Sequence, residues 1–81
     1  MDISNEEVDP SYVEKIGKTY IDTEDKDTSW TVYQVAYHDY YDTIIAYVFK
    51  TDSTDPTPTD IDECSEMDAG ELMTAKWAKW V

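Results

Sequence analysis

Apolar and polar positions alternate through the middle of the chain. In SWTVYQVAYH (29–38), Trp30, Val32 and Ala36 fall on one face, with Gln34 between them, and Thr31, Tyr33, Val35 and Tyr37 fall on the other. TIIAYVFK (43–50) alternates again, with Ile44, Ala46 and Val48 opposed to Thr43, Ile45, Tyr47 and Phe49. HDYYD between them reads as a turn, so the pair predicts adjacent strands. KTYID predicts a shorter strand before them, followed by the polar, turn-like TEDKDT. The expected strands thus cover about 18–22, 29–38 and 43–50. Both faces of the central pair are apolar, so both need cover. A small barrel wall, or a sheet with a helix laid across it, would supply it.

The period changes after Lys50. TDSTDPTPTD predicts a loop over 51–61, stiffened by Pro56 and Pro58. Ser65-x-x-Asp68 then has the form of a helix start. Ala69, Leu72, Met73, Lys76, Trp77 and Trp80 follow at spacings of three and four, which predicts an amphipathic helix over about 66–80 with Gly70 as its weak point. The alternative for the last residues is that KWAKWV forms a final strand closing a barrel. At the other end, residues 1–10 lack periodicity and predict a mobile acidic arm. SYVEKIG after it suits a single helical turn or an extended lead-in, punctuated by Gly17.

Composition supports the strands. Leu72 is the only leucine, against six isoleucines, six valines and seven tyrosines. That mix suits a pleated surface and disfavours a leucine-packed bundle. The expected fold class is α+β: one small domain over 11–81, an antiparallel β-meander or SH3-like barrel of three or more strands with a C-terminal amphipathic helix. The segments KIGKTYID, SWTVYQVAYH, TIIAYVF and MDAGELMTAKWAKWV together resemble the small SH3-like or open β-barrel proteins of phage and bacteria. Such folds host many functions, so the resemblance implies an architecture and no activity.

Charge narrows the function. Nineteen acids face six lysines and no arginine, giving −13 over 81 residues. The net charge is −6 over residues 1–29, −1 over 30–50, −8 over 51–71 and +2 over 72–81. A nearly neutral apolar centre therefore lies between acidic flanks. Such a field disfavours direct nucleic-acid or anionic-membrane binding and favours a basic partner. No apolar run has the length of a membrane span. The start is acidic and unlike a signal peptide, and Cys64 has no second cysteine to pair with. These features predict a cytoplasmic protein, in a cell of its own or an infected host.

Little catalytic chemistry is legible. His38 and Cys64 are single, without a signature for a nucleophile–base pair, and two glycines offer no phosphate cradle. One Cys and one His cannot build a zinc site. No enzymatic activity, cofactor or resident metal is expected. Acids alternate in DTEDKDTSW and TDIDECSE, but without the turn glycine and distant glutamate of a calcium loop, so a calcium-binding module stays a second alternative. The favoured reading is an acidic inhibitor of the DNA-mimic type, occupying the nucleic-acid-binding surface of another protein. Its expected contact residues are Asp52, Asp55, Asp60, Asp62, Glu63, Glu66 and Asp68, with Tyr40 and Tyr41 as exposed anchors. In the stripe foreseen for this purpose, Asp62, Glu63, Glu66, Asp68 and Glu71 share the opening turns of the last helix. The first alternative is a structural or accessory subunit whose acidity serves solubility or salt adaptation and which binds through its tyrosines. Oligomeric state is not legible.

Overall fold

The computed structural model describes residues 8–51, 54 and 56–81. In chain order the elements are helix α1 (Pro10–Val13), strands β1 (Thr19–Asp22), β2 (Thr28–His38) and β3 (Thr43–Lys50), a 3-10 turn (Ile61–Glu63), β4 (Ser65–Asp68), α2 (Ala69–Thr74) and β5 (Ala78–Trp80). All strand pairs are antiparallel, in the order β4-β3-β2-β1-β5. The three strands read from the alternation are present close to their expected bounds. The barrel expectation is corrected to an open sheet, with β4 and β5 as its edges.

The helix expected over 66–80 is corrected as well. Its first residues form β4 along β3, only Ala69–Thr74 is helical, and its last form β5 along β1. Long-range pairing outweighs the three-and-four spacing here. The Thr74 hydroxyl bonds back to the Gly70 carbonyl at 2.9 Å, and Ala75 turns extended. Beyond it, the Trp77 carbonyl accepts from Thr23 N–H at 2.9 Å, and Trp80 lies opposite Tyr20. The Tyr20 ring sits 6.2 Å from Trp77 and 5.1 Å from Trp80. A continuous helix would forfeit both edge strands. KWAKWV does supply a strand, but it lies along β1 without closing the sheet.

The helix start moves with it. Ser65 is in β4, opposite Val48, and Asp68 is the N-cap: its carboxylate accepts from Glu71 N–H at 3.0 Å. Asp68→Ala is expected to cost about 1 kcal/mol and lower the melting temperature by roughly 4–8 °C, with Asp68→Ser recovering most of it. A calorimetric scan unchanged by Asp68→Ala would mean that burial of Ala69 and Leu72 alone holds α2.

A bulge governs which residues face the core. Val32 lies opposite Val48 and Gln34 opposite Tyr47, so Tyr33 is the extra residue in β2. The strict alternation placed Val32 and Val35 on opposite faces. The bulge places them together in the main core, with Tyr20, Ala46, Val48, Ala69 and Leu72. Ala36 goes to the other face with Ile45 and Tyr47, where Ile61 and Cys64 cover them. Both faces of the central pair are thus covered, one by the helices and the edge tryptophans, the other by the segment at the 3-10 turn.

Of the arm expected over 1–10, only Val8, Asp9 and Pro10 are described. Residues 1–7 lie outside the described residues, but Val8 is only 4% exposed and belongs to the main core. Asp9 caps α1, its carboxylate accepting from both the backbone N–H and the hydroxyl of Ser11 at 2.9 Å. These bonds lower the Asp9 pKa.

Candidate functional site

The β2–β3 turn and the β4 edge meet at a cluster of aromatic and ionisable side chains. The turn, residues 39–42, closes with Asp42 N–H donating to the His38 carbonyl at 2.8 Å and with Asp42 at φ 54°. The Tyr37 hydroxyl donates to the Asp42 carboxylate. His38 Nδ1 accepts from Tyr40 N–H at 3.2 Å, which leaves Nε2 facing Glu66 at 3.9 Å. The Tyr41 ring lies 4.6 Å from the His38 ring and 5.2 Å from Tyr40, and its hydroxyl donates to Glu66 at 3.3 Å. Tyr40 is 84% exposed and Tyr41 50%.

Electrostatics follow from this packing. The Glu66 charge raises the Tyr41 phenol pKa, so the hydroxyl remains a donor. Tyr47, opposite Glu66 in the sheet, is raised first by burial and then by the Glu66 and Asp62 charges. Glu66 and Asp62 therefore act on one patch of the sheet. Tyr41, Thr43, Ile45, Glu66, Met67 and Asp68 line a shallow depression of about 270 Å³ in this patch.

Tyr40, Tyr41 and Glu66 are brought together, Tyr41 and Glu66 being 25 residues apart in the chain, and Asp68 lines the same depression; Asp60, Asp62 and Glu63 lie at the 3-10 turn. Asp60 caps the 3-10 turn, accepting from Asp62 N–H at 3.3 Å, and Glu63 accepts from the Thr59 hydroxyl at 3.1 Å. Asp68 is committed to α2. Asp52 and Asp55 lie outside the described residues. The stripe expected on one helix is corrected: its acids are divided among the 3-10 turn, an edge strand and a six-residue helix. Acids on a short edge strand have a structural use of their own, because they discourage pairing with another strand of like charge.

The remaining candidate chemistry is absorbed locally. Cys64 packs under Ile45 and Tyr47, and its thiol donates to the Asp60 carbonyl at 3.8 Å. Burial, then the Glu63 and Asp60 charges, push its pKa up, opposite to what a nucleophilic thiolate needs. In the 22–27 segment, one Asp22 oxygen accepts the N–H groups of Glu24 and Asp25 at 3.0 and 3.1 Å, which makes it a turn. Among the described residues, no three His, Cys, Asp or Glu side chains are grouped to hold a metal ion, and no helix is long and apolar enough to cross a membrane.

The sequence places Tyr40 and Tyr41 beside His38 at the turn but carries no sign that Glu66 joins His38 and Tyr41 there. It also carries no sign of a groove of about 470 Å³ where Trp30, Phe49, Pro56 and Pro58 approach Lys50 and Glu63. No family model, no characterised protein and no solved structure matches this chain.

Proposed function

We propose that the protein is a non-enzymatic, acidic binding module that occupies the basic, nucleic-acid-facing surface of another protein, as an inhibitor of the DNA-mimic kind. The observation that carries this reading is the exposed Tyr40–Tyr41 pair, with Tyr41 bonded to Glu66, on a chain of net charge −13 without arginine. Exposed tyrosines supply contact area, and carboxylates beside them select a basic counterpart and steer its approach. A phage-encoded protein directed at a host nuclease or defence complex would have this character, and would act in the cytoplasm of the infected cell.

The test uses immobilised protein and a lysate of the source cell. A partner should be retained at low salt, released by duplex DNA, and its retention should fall at least about tenfold as salt is raised, because the pairing is between charges in water. Combining Asp60→Asn, Asp62→Asn, Glu63→Gln and Glu66→Gln should abolish retention; Asp68 is left intact because it caps α2. Retention that survives the four substitutions and high salt but is lost with Tyr40→Ala and Tyr41→Ala would overturn the proposal. It would favour an accessory subunit that binds through its tyrosines, a reading supported by the 84% exposure of Tyr40.

A further inference from the structure

We propose that the open edge of β4 receives an extended basic segment of the partner as a sixth strand, with one arginine side chain seated in the depression beside Tyr41 and Glu66. The inference rests on the acidic-binder reading and specifies where and how the basic segment is held.

Three observations converge on this edge. β4 pairs with β3 on one side only, and among the described residues no further backbone hydrogen bond reaches Glu66 or Met67. Such an edge is a template for a strand from another chain. Second, the side chains along β4 alternate in use: Met67 packs against the main core, while Glu66 and Asp68 lie opposite Tyr47 and Ile45 on the other face. A strand added about 4.8 Å beyond β4 places its alternate side chains next to Glu66 on that face. Third, that face holds the depression of about 270 Å³, with Tyr41 and Ile45 among its apolar or aromatic lining and Glu66 and Asp68 beside them. Apolar walls suit the aliphatic stem of arginine, and the half-exposed Tyr41 ring suits its planar guanidinium.

Glu66 has capacity for the incoming charge. Its present contacts are a 3.3 Å hydroxyl bond from Tyr41 and His38 Nε2 at 3.9 Å. A carboxylate accepts at two oxygens, so a guanidinium can be bound without breaking the Tyr41 contact. Charge also decides between occupants. A second copy of this chain would set its own Glu66 and Asp68 against these, and like charges across a strand pair are unfavourable. A basic strand meets opposite charges at the same positions.

The probe is a synthetic nine-residue peptide alternating arginine with threonine, followed by fluorescence anisotropy and by amide hydrogen exchange of the intact protein. Two controls accompany it. One is the same peptide with every internal backbone nitrogen methylated, so that it keeps its charge but cannot donate to β4 from either of its edges. The other is the Glu66→Gln protein. The proposal expects binding of the parent peptide, slowed exchange at residues 66–68, and about tenfold weaker binding for either control, through loss of the edge hydrogen bonds in one and of the charge-assisted bond to Glu66 in the other. Equal binding of both peptides, or no effect of Glu66→Gln, would overturn strand addition and leave a diffuse acidic binder standing. Failure of every arginine peptide to bind at low salt would count against both readings.

Discussion

Leu72→Ala is expected to cost about 2–5 kcal/mol, as removal of a fully enclosed leucine does in other cores. Leu72 has no exposed surface and is the only leucine in the chain. It sits with Val8, Tyr20, Val32, Val35 and Val48, so it joins the N-terminal segment, the sheet and α2. An 81-residue domain has a total stability of roughly 4–12 kcal/mol, so this single truncation removes a large share of it. Equilibrium urea unfolding checks the value, with a lower midpoint and an unchanged slope as the expected result. Leu72→Met, which keeps most of the volume, should cost less than about 1.5 kcal/mol. A loss below 1 kcal/mol for the alanine variant would mean that α2 collapses into the space, and that the core is less close-packed than its enclosure implies.

Alkaline titration of Tyr20 is the second large effect. The side chain is 1% exposed, and burial, followed by the Asp22 charge, pushes its phenol pKa up to about 12. An unfolded tyrosine titrates near 10. Below about pH 10 both states keep the proton, and the contribution to stability is complete. As pH rises from about 10 towards 12 the unfolded chain releases the proton first, and stability falls. A displacement of this size corresponds to roughly 2 kcal/mol lost by about pH 12. Tyr47, also raised mainly by burial, adds to the decline in the same direction. Urea midpoints taken at successive pH values should drop steeply through this window. The drop should be visibly shallower in Tyr20→Phe, which removes the titrating hydroxyl and keeps the ring against Trp77 and Trp80. Parallel declines in the two proteins would assign alkaline unfolding to other groups, and the phenol would then be better hydrated than its burial suggests.

The candidate site was legible in parts. Adjacent tyrosines on a turn announce an exposed aromatic, because only one of two neighbours can easily turn inward, and here both Tyr40 and Tyr41 are exposed. Glu66 was also marked, but as one acid of a helix. Its actual role beside Tyr41 depends on β4 lying next to β3, a contact between segments about twenty residues apart, for which short-range periodicity carries no signal. Asp68 lines the same depression as Tyr41 and Glu66 and also caps a helix that begins later than Ser65 suggests.

The same division runs through the fold. Alternating β-branched and aromatic residues determined by themselves that 18–22, 29–38 and 43–50 are strands and that both faces of the central pair are covered, because a two-residue period allows few other ways of burying those side chains. Three things were decided only by tertiary structure. The Tyr33 bulge puts Val32 and Val35 on one face, a choice made by the register against β3. The 3-10 turn returns to the far face, bringing Ile61 and Cys64 over Ile45 and Tyr47. The last seventeen residues split into strand, helix and strand, although their spacing is helical, because β1 and β3 each offered an unpaired edge. A row of backbone hydrogen bonds together with indole burial against Tyr20 outweighs the modest preference of a short sequence for helix.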